Sequence, residues 1–315
     1  MSYIHKGAYI AVLVFCIVIM SAYSSSATVR ISIIKSNGSD AHNEAIASFV
    51  RAITGFGRSY TYNTITIKEG AESEIIKETK GSDLILSMGT TATLAAKKVI
   101  KNTPIVFCMM LNPVSSGIAR NMESPGGNIT GASLDIPLKS QFEYIKLLIA
   151  NVKTVGVMYS PQETRTMVQE AFGIARSMNL SLVAKPISSE REVPDALKSL
   201  LNKVDVIWSV ADGVVFGSQS TQYILLNTLK AEMPFIGLSP SFVKAGALMA
   251  LSCNNSDIGK QAAEIANRVL NGENPGNIAI AVPRKISLWI NMRTADQIGL
   301  RIPDHVIKSA DKVIK

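Results

Sequence analysis

From residue 28 to about residue 270, ten short apolar runs rich in β-branched residues alternate with longer segments of helical period, and no other feature constrains the fold as strongly. Such alternation is the pattern of βαβ units, so it predicts an α/β protein with parallel sheets covered by crossover helices. The expected strands are 29–34, 63–68, 83–88, 104–110, 128–133, 154–159, 180–186, 204–210, 234–238 and 247–251. Amphipathic segments such as 43–53, 92–101, 140–149, 168–178 and 258–270 carry apolar residues three and four apart and supply the crossovers. Two sheets of about five strands suit 315 residues better than a single sheet of ten. The break falls near Asp135-Ile136-Pro137, where a strand ends and a proline opens the next helix. No Gly/Ser-rich linker marks it, which predicts a short hinge between two lobes. The expected division is a leader over 1–27, a first lobe over 28–135 completed by 252–285, a second lobe over 136–251, and a crossing segment and tail over 286–315.

The leader differs in kind from the rest of the chain. His5 and Lys6 precede an unbroken apolar run over 8–20, and Ser25-Ser26-Ala27 places small residues where a signal peptidase cuts. That run is shorter than the ~20 apolar residues of a membrane-spanning helix. The chain is therefore expected to be exported to the periplasm with a mature start near Thr28. Cys16 follows Phe15 and lies early in the apolar run, which argues against lipidation. Cys108 and Cys253, each in or beside an apolar run, read as two separate thiols, since nothing in the sequence brings their strands within bonding range. The net charge of +8 is scattered. Its densest groups, Lys97-Lys98 with Lys101 and Arg284-Lys285, lack interleaved aromatic residues, so they read as solvated faces, with no nucleic-acid partner expected.

Catalytic and metal chemistry is thinly represented. Of three histidines, His5 belongs to the leader, His42 opens a helix and His305 lies in the polar tail, and none has a partner at metal-ligand spacing. GxSxG does not occur, and Pro125-Gly126-Gly127-Asn128 lacks the spacing that cradles phosphates. Neither a metal nor a cofactor is expected. Binding, in contrast, has an obvious location, because ligands of open parallel sheets sit outside the carboxyl ends of the strands. Gly89-Thr90-Thr91 joins a strand to a helix and offers hydroxyls and free N–H groups to an anion. Helix capping by Thr90 or Thr91 is the alternative. The other strand-end loops contain Ser36, Asn112, Ser160, Asp212 and Ser239. Asp212 is their only acid and could pair with a ligand ammonium. An Asp-Gly turn satisfying its own backbone would explain it equally well.

Three blocks then resemble a known family. Asn112-Pro113-Val114, Gly117 and Pro125-Gly126-Gly127-Asn128-Ile129-Thr130-Gly131 are similar to the "DPV…G…PGGNVTG" signature of ABC-transporter substrate-binding proteins, a family with tryptophan- and tyrosine-binding members. Phe242-Val243-Lys244-Ala245-Gly246-Ala247-Leu248-Met249 resembles its "FVxAGGLM", and Asn271-Gly272-Glu273-Asn274-Pro275 its "ILxGxxP". The tail from Ile290-Asn291-Met292-Arg293-Thr294-Ala295 through Gly299-Leu300-Arg301-Ile302-Pro303 is similar to "INLKTAxxLGLxIP". The resemblance implies a type I periplasmic-binding-protein fold, two lobes joined by crossing segments, the chain returning to the first lobe after residue 250. It also makes Gly89-Thr90-Thr91 similar to the family's "GTxA" turn. Leu111-Asn112 stands where the family usually has Thr-Asp, a departure that counts against an aromatic amino acid as solute.

These readings converge on a non-catalytic, exported subunit of an ABC importer, a monomer that captures an amino acid or related small carboxylate between its lobes and delivers it to an inner-membrane permease. Two other classes fit less well. A periplasmic sensor would share the fold, since fold does not fix function. An exported α/β enzyme using Asp212 as a base lacks a nucleophile, a well-placed histidine and a metal.

Overall fold

In a computed structural model, which describes residues 28–36, 39–68 and 70–315, the first sheet is built from five parallel strands. They are β1 (Val29–Lys35), β2 (Tyr60–Thr66), β3 (Leu84–Met88), β4 (Ile105–Met110) and β5 (Ile129–Ser133), in the order β2-β1-β3-β4-β5. Every residue of β3, β4 and β5 is buried, which is why those segments are almost continuously apolar: helices cover both faces of a parallel sheet. On one face lies α1 (Asp40–Thr54), which contributes Ala45, Phe49 and Ile53 to the core. On the other lie α2 (Glu72–Glu78) and α3 (Gly89–Val99), through Ile75, Ala92 and Ala96. The edge strand β2 buries little, so its Tyr60–Thr66 sequence shows no apolar run at its start, and the strand begins three residues before the expected 63.

The second sheet has seven strands rather than about five. After α4 (Leu138–Leu148) come β6 (Thr154–Tyr159), α5 (Arg165–Ser177), β7 (Ser181–Pro186), α6 (Val193–Leu201), β8 (Val206–Trp208), α7 (Ser218–Lys230), β9 (Phe235–Gly237), α8 (Pro240–Lys244) and β10 (Met249–Cys253). The chain then makes α9 (Asn255–Leu270) and returns through β11 (Ile286–Asn291), α10 (Met292–Gln297), α11 (Asp304–Ser309) and β12 (Lys312–Ile314). The order is β12-β11-β10-β9-β8-β6-β7, with β11 antiparallel to β10 and the other pairings parallel. Residues 286–315 thus contribute two strands and two helices to the second lobe, where a crossing segment and tail were expected. β12 is only three residues long and half-buried, too short to show a period.

Helix α9 leaves the second sheet and packs on the first lobe. Its buried face, including Ile258, Ala262, Ala263 and Ala266, joins the core beneath α1. The approach is close because residue 259 is glycine: a Cβ there would overlap the carbonyl oxygen of Ala45. The chain crosses between the lobes three times, at 134–137, at the end of β10 and at 281–286. The second and third crossings run side by side, since Cys253 of β10 is paired with Ile286 of β11. Arg284 pins the third crossing to α9 through Asp257 (3.3 Å) and Glu264 (3.0 Å), and the Gln261 amide donates to the Val282 carbonyl (2.8 Å).

Among the described residues no helix is long and apolar enough to cross a membrane. The expected signal peptide falls on 1–27, outside those residues. Cys108 and Cys253 are both free. Burial pushes each thiol up to about 12, for Cys253 with a further contribution from the Asp135 carboxylate.

Candidate functional site

In the first sheet, α1 leaves β1 toward one face and α3 leaves β3 toward the other, so a crevice opens between the carboxyl ends of these adjacent strands. Lys35 is paired with Met88, which places Ser36 and Gly89 side by side at its floor. Gly89 has φ +79°, and a Cβ there would lie 3.4 Å from the His42 imidazole, so glycine both permits the turn and lets the ring lie against the backbone. Helix α3 begins at Gly89 with Met88 as its N-cap and no side-chain cap. Capping therefore does not account for Thr90 and Thr91. Thr93, one turn on, donates to the Gly89 carbonyl (2.7 Å) and bonds the Ser87 hydroxyl (3.0 Å). Thr90 is half-buried and Thr91 exposed. The first-turn N–H groups of α3 carry no side-chain acceptor and point positive potential at the crevice. Ser36, Gly89, Thr90 and Thr91 are thus brought together, with His42 as a neighbour that sequence reasoning had left as a helix opener.

The corresponding crevice of the second sheet, between β6 and β8, is filled by its own residues. The Asp212 carboxylate, 3% exposed, accepts from Ser160 N–H (2.6 Å), the Thr164 hydroxyl (2.6 Å), Val214 N–H (3.1 Å) and Val215 N–H (3.0 Å). Ser160 is 1% exposed and its hydroxyl accepts from Gln162 N–H (3.3 Å). The expectation that Asp212 meets a ligand ammonium is corrected here. Its lone pairs are spent fastening the loop after β6 to the loop after β8, the Asp-turn alternative extended across two strands.

The open space of the second lobe lies one strand over. A cavity of about 270 Å³ is formed at the carboxyl ends of β8 and β9 by Trp208 to Ala211 and by Gly237 to Ser239. Leu111 from the first lobe, Met167 from α5 and the hinge residues Leu134 to Ile136 close it. Ser239 alone among the expected second-lobe ligand residues lines it, half-buried, with its hydroxyl against that of Ser241 (2.7 Å). Trp208 is held by its Nε1–H donating to the Gln141 carbonyl oxygen (2.8 Å), while the Gln141 amide donates to the Ile136 carbonyl (2.8 Å), tying wall to hinge. A second, larger interlobe cavity of about 740 Å³ lies between the loop beginning at Asn112 and the outer face of α5. Asn112, at φ 53°, is its only expected site residue.

Asp135, Ile136 and Met167 line both cavities. Asp135 accepts Asn112 N–H on both oxygens (3.0 Å each) and the Ser133 hydroxyl on one (2.8 Å). Burial raises its carboxyl above the usual carboxylate range, against the opposing pull of those donors. Sequence reasoning used this residue only as a lobe boundary; the missed signal was an acid directly after a strand, the property that had drawn attention to Asp212. Trp208 was missed because an apolar run hides which residue ends it. Among the described residues no three His, Cys, Asp or Glu side chains converge as metal ligands.

The family model described as ABC transporter substrate binding protein matches residues 54–314. The chain belongs to that family. It is 28% identical over 241 residues to the tyrosine-binding protein of Clostridioides difficile (strain R20291), covering 76% of this chain and 69% of that one. Two solved structures share its fold. One is the ABC domain in complex with L-Trp from Streptococcus pneumonia (23% identity, TM-score 0.66, covering 91% of this chain and 100% of that one). The other is the ligand-free, open form of a substrate-binding protein with adhesive properties from Clostridium difficile (24% identity, TM-score 0.73, with the same coverage). The substrate-binding protein has the type I periplasmic-binding-protein fold that the resemblance implied.

Proposed function

We propose that this substrate-binding protein is the exported, monomeric solute receptor of an ABC importer, processed near Thr28, which captures an amino acid or related small carboxylate between its lobes in the periplasm and presents the closed form to an inner-membrane permease. It turns nothing over. The observation that carries this reading is the 270 Å³ cavity, walled by both lobes and by the hinge itself. Drug-sized ligands fill pockets of roughly 300–1,000 Å³, so a somewhat smaller space suits a solute of amino-acid size. Across the cleft, Ser36, Thr90, Thr91 and the first-turn N–H groups of α3 are arranged to receive a carboxylate as the lobes close. Asn112 sits at the hinge side of that opening, and Ser239 offers a hydroxyl from the opposite wall. The tyrosine-binding relative and the L-Trp complex of a structural neighbour favour amino acids as a class. A ligand touching both lobes shifts the population toward the closed form, the signal a permease can read.

A thermal-shift screen of the mature protein against amino acids, small carboxylates and purines tests the reading, because a ligand of the folded state raises the midpoint in proportion to the logarithm of its concentration above Kd. A hit should also reduce the radius of gyration in small-angle scattering. A screen in which no small carboxylate moves the midpoint would overturn the proposal.

A further inference from the structure

We propose that Asp135 is the receptor for a cationic group on the solute, so that the protein selects molecules carrying an ammonium as well as a carboxylate. The inference rests on the solute-binding reading above and deepens it. Asp135 sits at the junction of the two interlobe cavities, on the first crossing between the lobes. Its carboxylate is fixed before any ligand arrives: Asn112 N–H bridges both oxygens and the Ser133 hydroxyl holds one. Two ionised oxygens offer about four acceptor sites, so these two donors leave room for more. What is missing is a counter-charge. None of the ion pairs among the described residues includes Asp135; Lys139, the basic residue in the cavity lining, pairs with Glu143 instead (3.9 Å).

A carboxylate removed from water without a cation is costly, and the cost is relieved when a partner charge arrives. Three acids near the crossings and the second-lobe crevice are already committed. Asp212 is saturated by its own lobe, and Asp257 and Glu264 share Arg284. The groups around Asp135 favour a cation too: Cys253, facing it from β10, is a neutral thiol at physiological pH, and Glu123 and Glu170 line the adjoining cavity. With the α3 N-terminus offering donors on the first lobe, the cleft presents an anion site and a cation site, the complement of a zwitterion.

The test uses the twenty L-amino acids, each alongside its desamino acid and its decarboxylated amine, titrated by calorimetry into the mature wild-type protein and into Asp135→Asn. The expected result is a wild-type protein that binds an amino acid and loses about tenfold or more in affinity for the desamino partner. In Asp135→Asn the amino acid should weaken by a similar factor, while the desamino acid changes little. A desamino acid that binds the wild type as tightly as its parent overturns the assignment while leaving solute binding intact, and so does a folded Asp135→Asn that still discriminates. If no member of the panel binds the wild type, the amino-acid reading falls and this inference with it. Should Asp135→Asn fail to fold, the wild-type comparison of each parent with its desamino acid decides alone.

Discussion

Replacing Asp212 with alanine removes the one acceptor shared by four donors: the N–H groups of Ser160, Val214 and Val215 and the hydroxyl of Thr164. A hydrogen bond to a charged group contributes about 1.5–3 kcal/mol, and a buried donor left without an acceptor costs about 1–3 kcal/mol. The four bonds do not add, because they form one network and the loop beside exposed Gly213 can relax toward water. A net loss of roughly 3–5 kcal/mol results, in the range for breaking a buried polar network. At about 2–4 °C per kcal/mol for a domain of this size, the midpoint should fall by roughly 6–20 °C. Differential scanning calorimetry measures it, and titration calorimetry of the folded variant below its midpoint should find solute affinity nearly unchanged. A variant that melts like the wild type but no longer binds would refute this reasoning and restore Asp212 to the ligand.

Gly259→Ala should destabilise the first lobe by about 1–3 kcal/mol through overpacking against Ala45, although at an exposed helix position the same change stabilises by about 1 kcal/mol; a raised thermal midpoint would contradict the close approach of α9 to α1. Because burial raises the Asp135 carboxyl in the ligand-free protein, folding favours its neutral form. Its contribution to stability is complete below the ordinary carboxylate range and is lost as pH rises through the raised value. Asp135→Asn should lack that fall when thermal midpoints are compared at pH values rising from the ordinary carboxylate range, and Cys253, at about 12, titrates far above it. Parallel pH profiles for the two proteins would count against a raised carboxyl.

Much of the fold was legible because fully buried parallel strands are apolar at nearly every position. Residues 154–159 of β6 coincide with the expected strand, and β3, β4 and β5 differ by a residue at their starts. Where a strand is half-covered or very short, that signal fades, as at Tyr60–Thr66 and Lys312–Ile314. The first-lobe half of the candidate site was readable from position alone, since Ser36 and Gly89 follow adjacent strands. The second-lobe half was not. Asp212 and Asp135 look alike as letters, each an acid after an apolar run. Only three-dimensional neighbours tell them apart: the first is encircled by donors from its own lobe, and the second lines open space and enters none of the ion pairs among the described residues.

The return of α9 to the first lobe governs the order in which the molecule can be completed. For a chain threaded N-terminus first, whether from a ribosome or through a membrane pore, the segment ending at β5 emerges with every strand of its sheet but with one flank of its core bare. Phe49, Met88 and Val106 must wait for Ile258, Ala262 and Ile278 to cover them. These arrive only after the parallel strands of the second sheet, which in turn await β11 and β12 at the end of the chain. Neither lobe can therefore become a finished unit until residues well beyond its own first strands have emerged. A nascent chain arrested after β10 therefore yields two unfinished halves instead of one sound lobe.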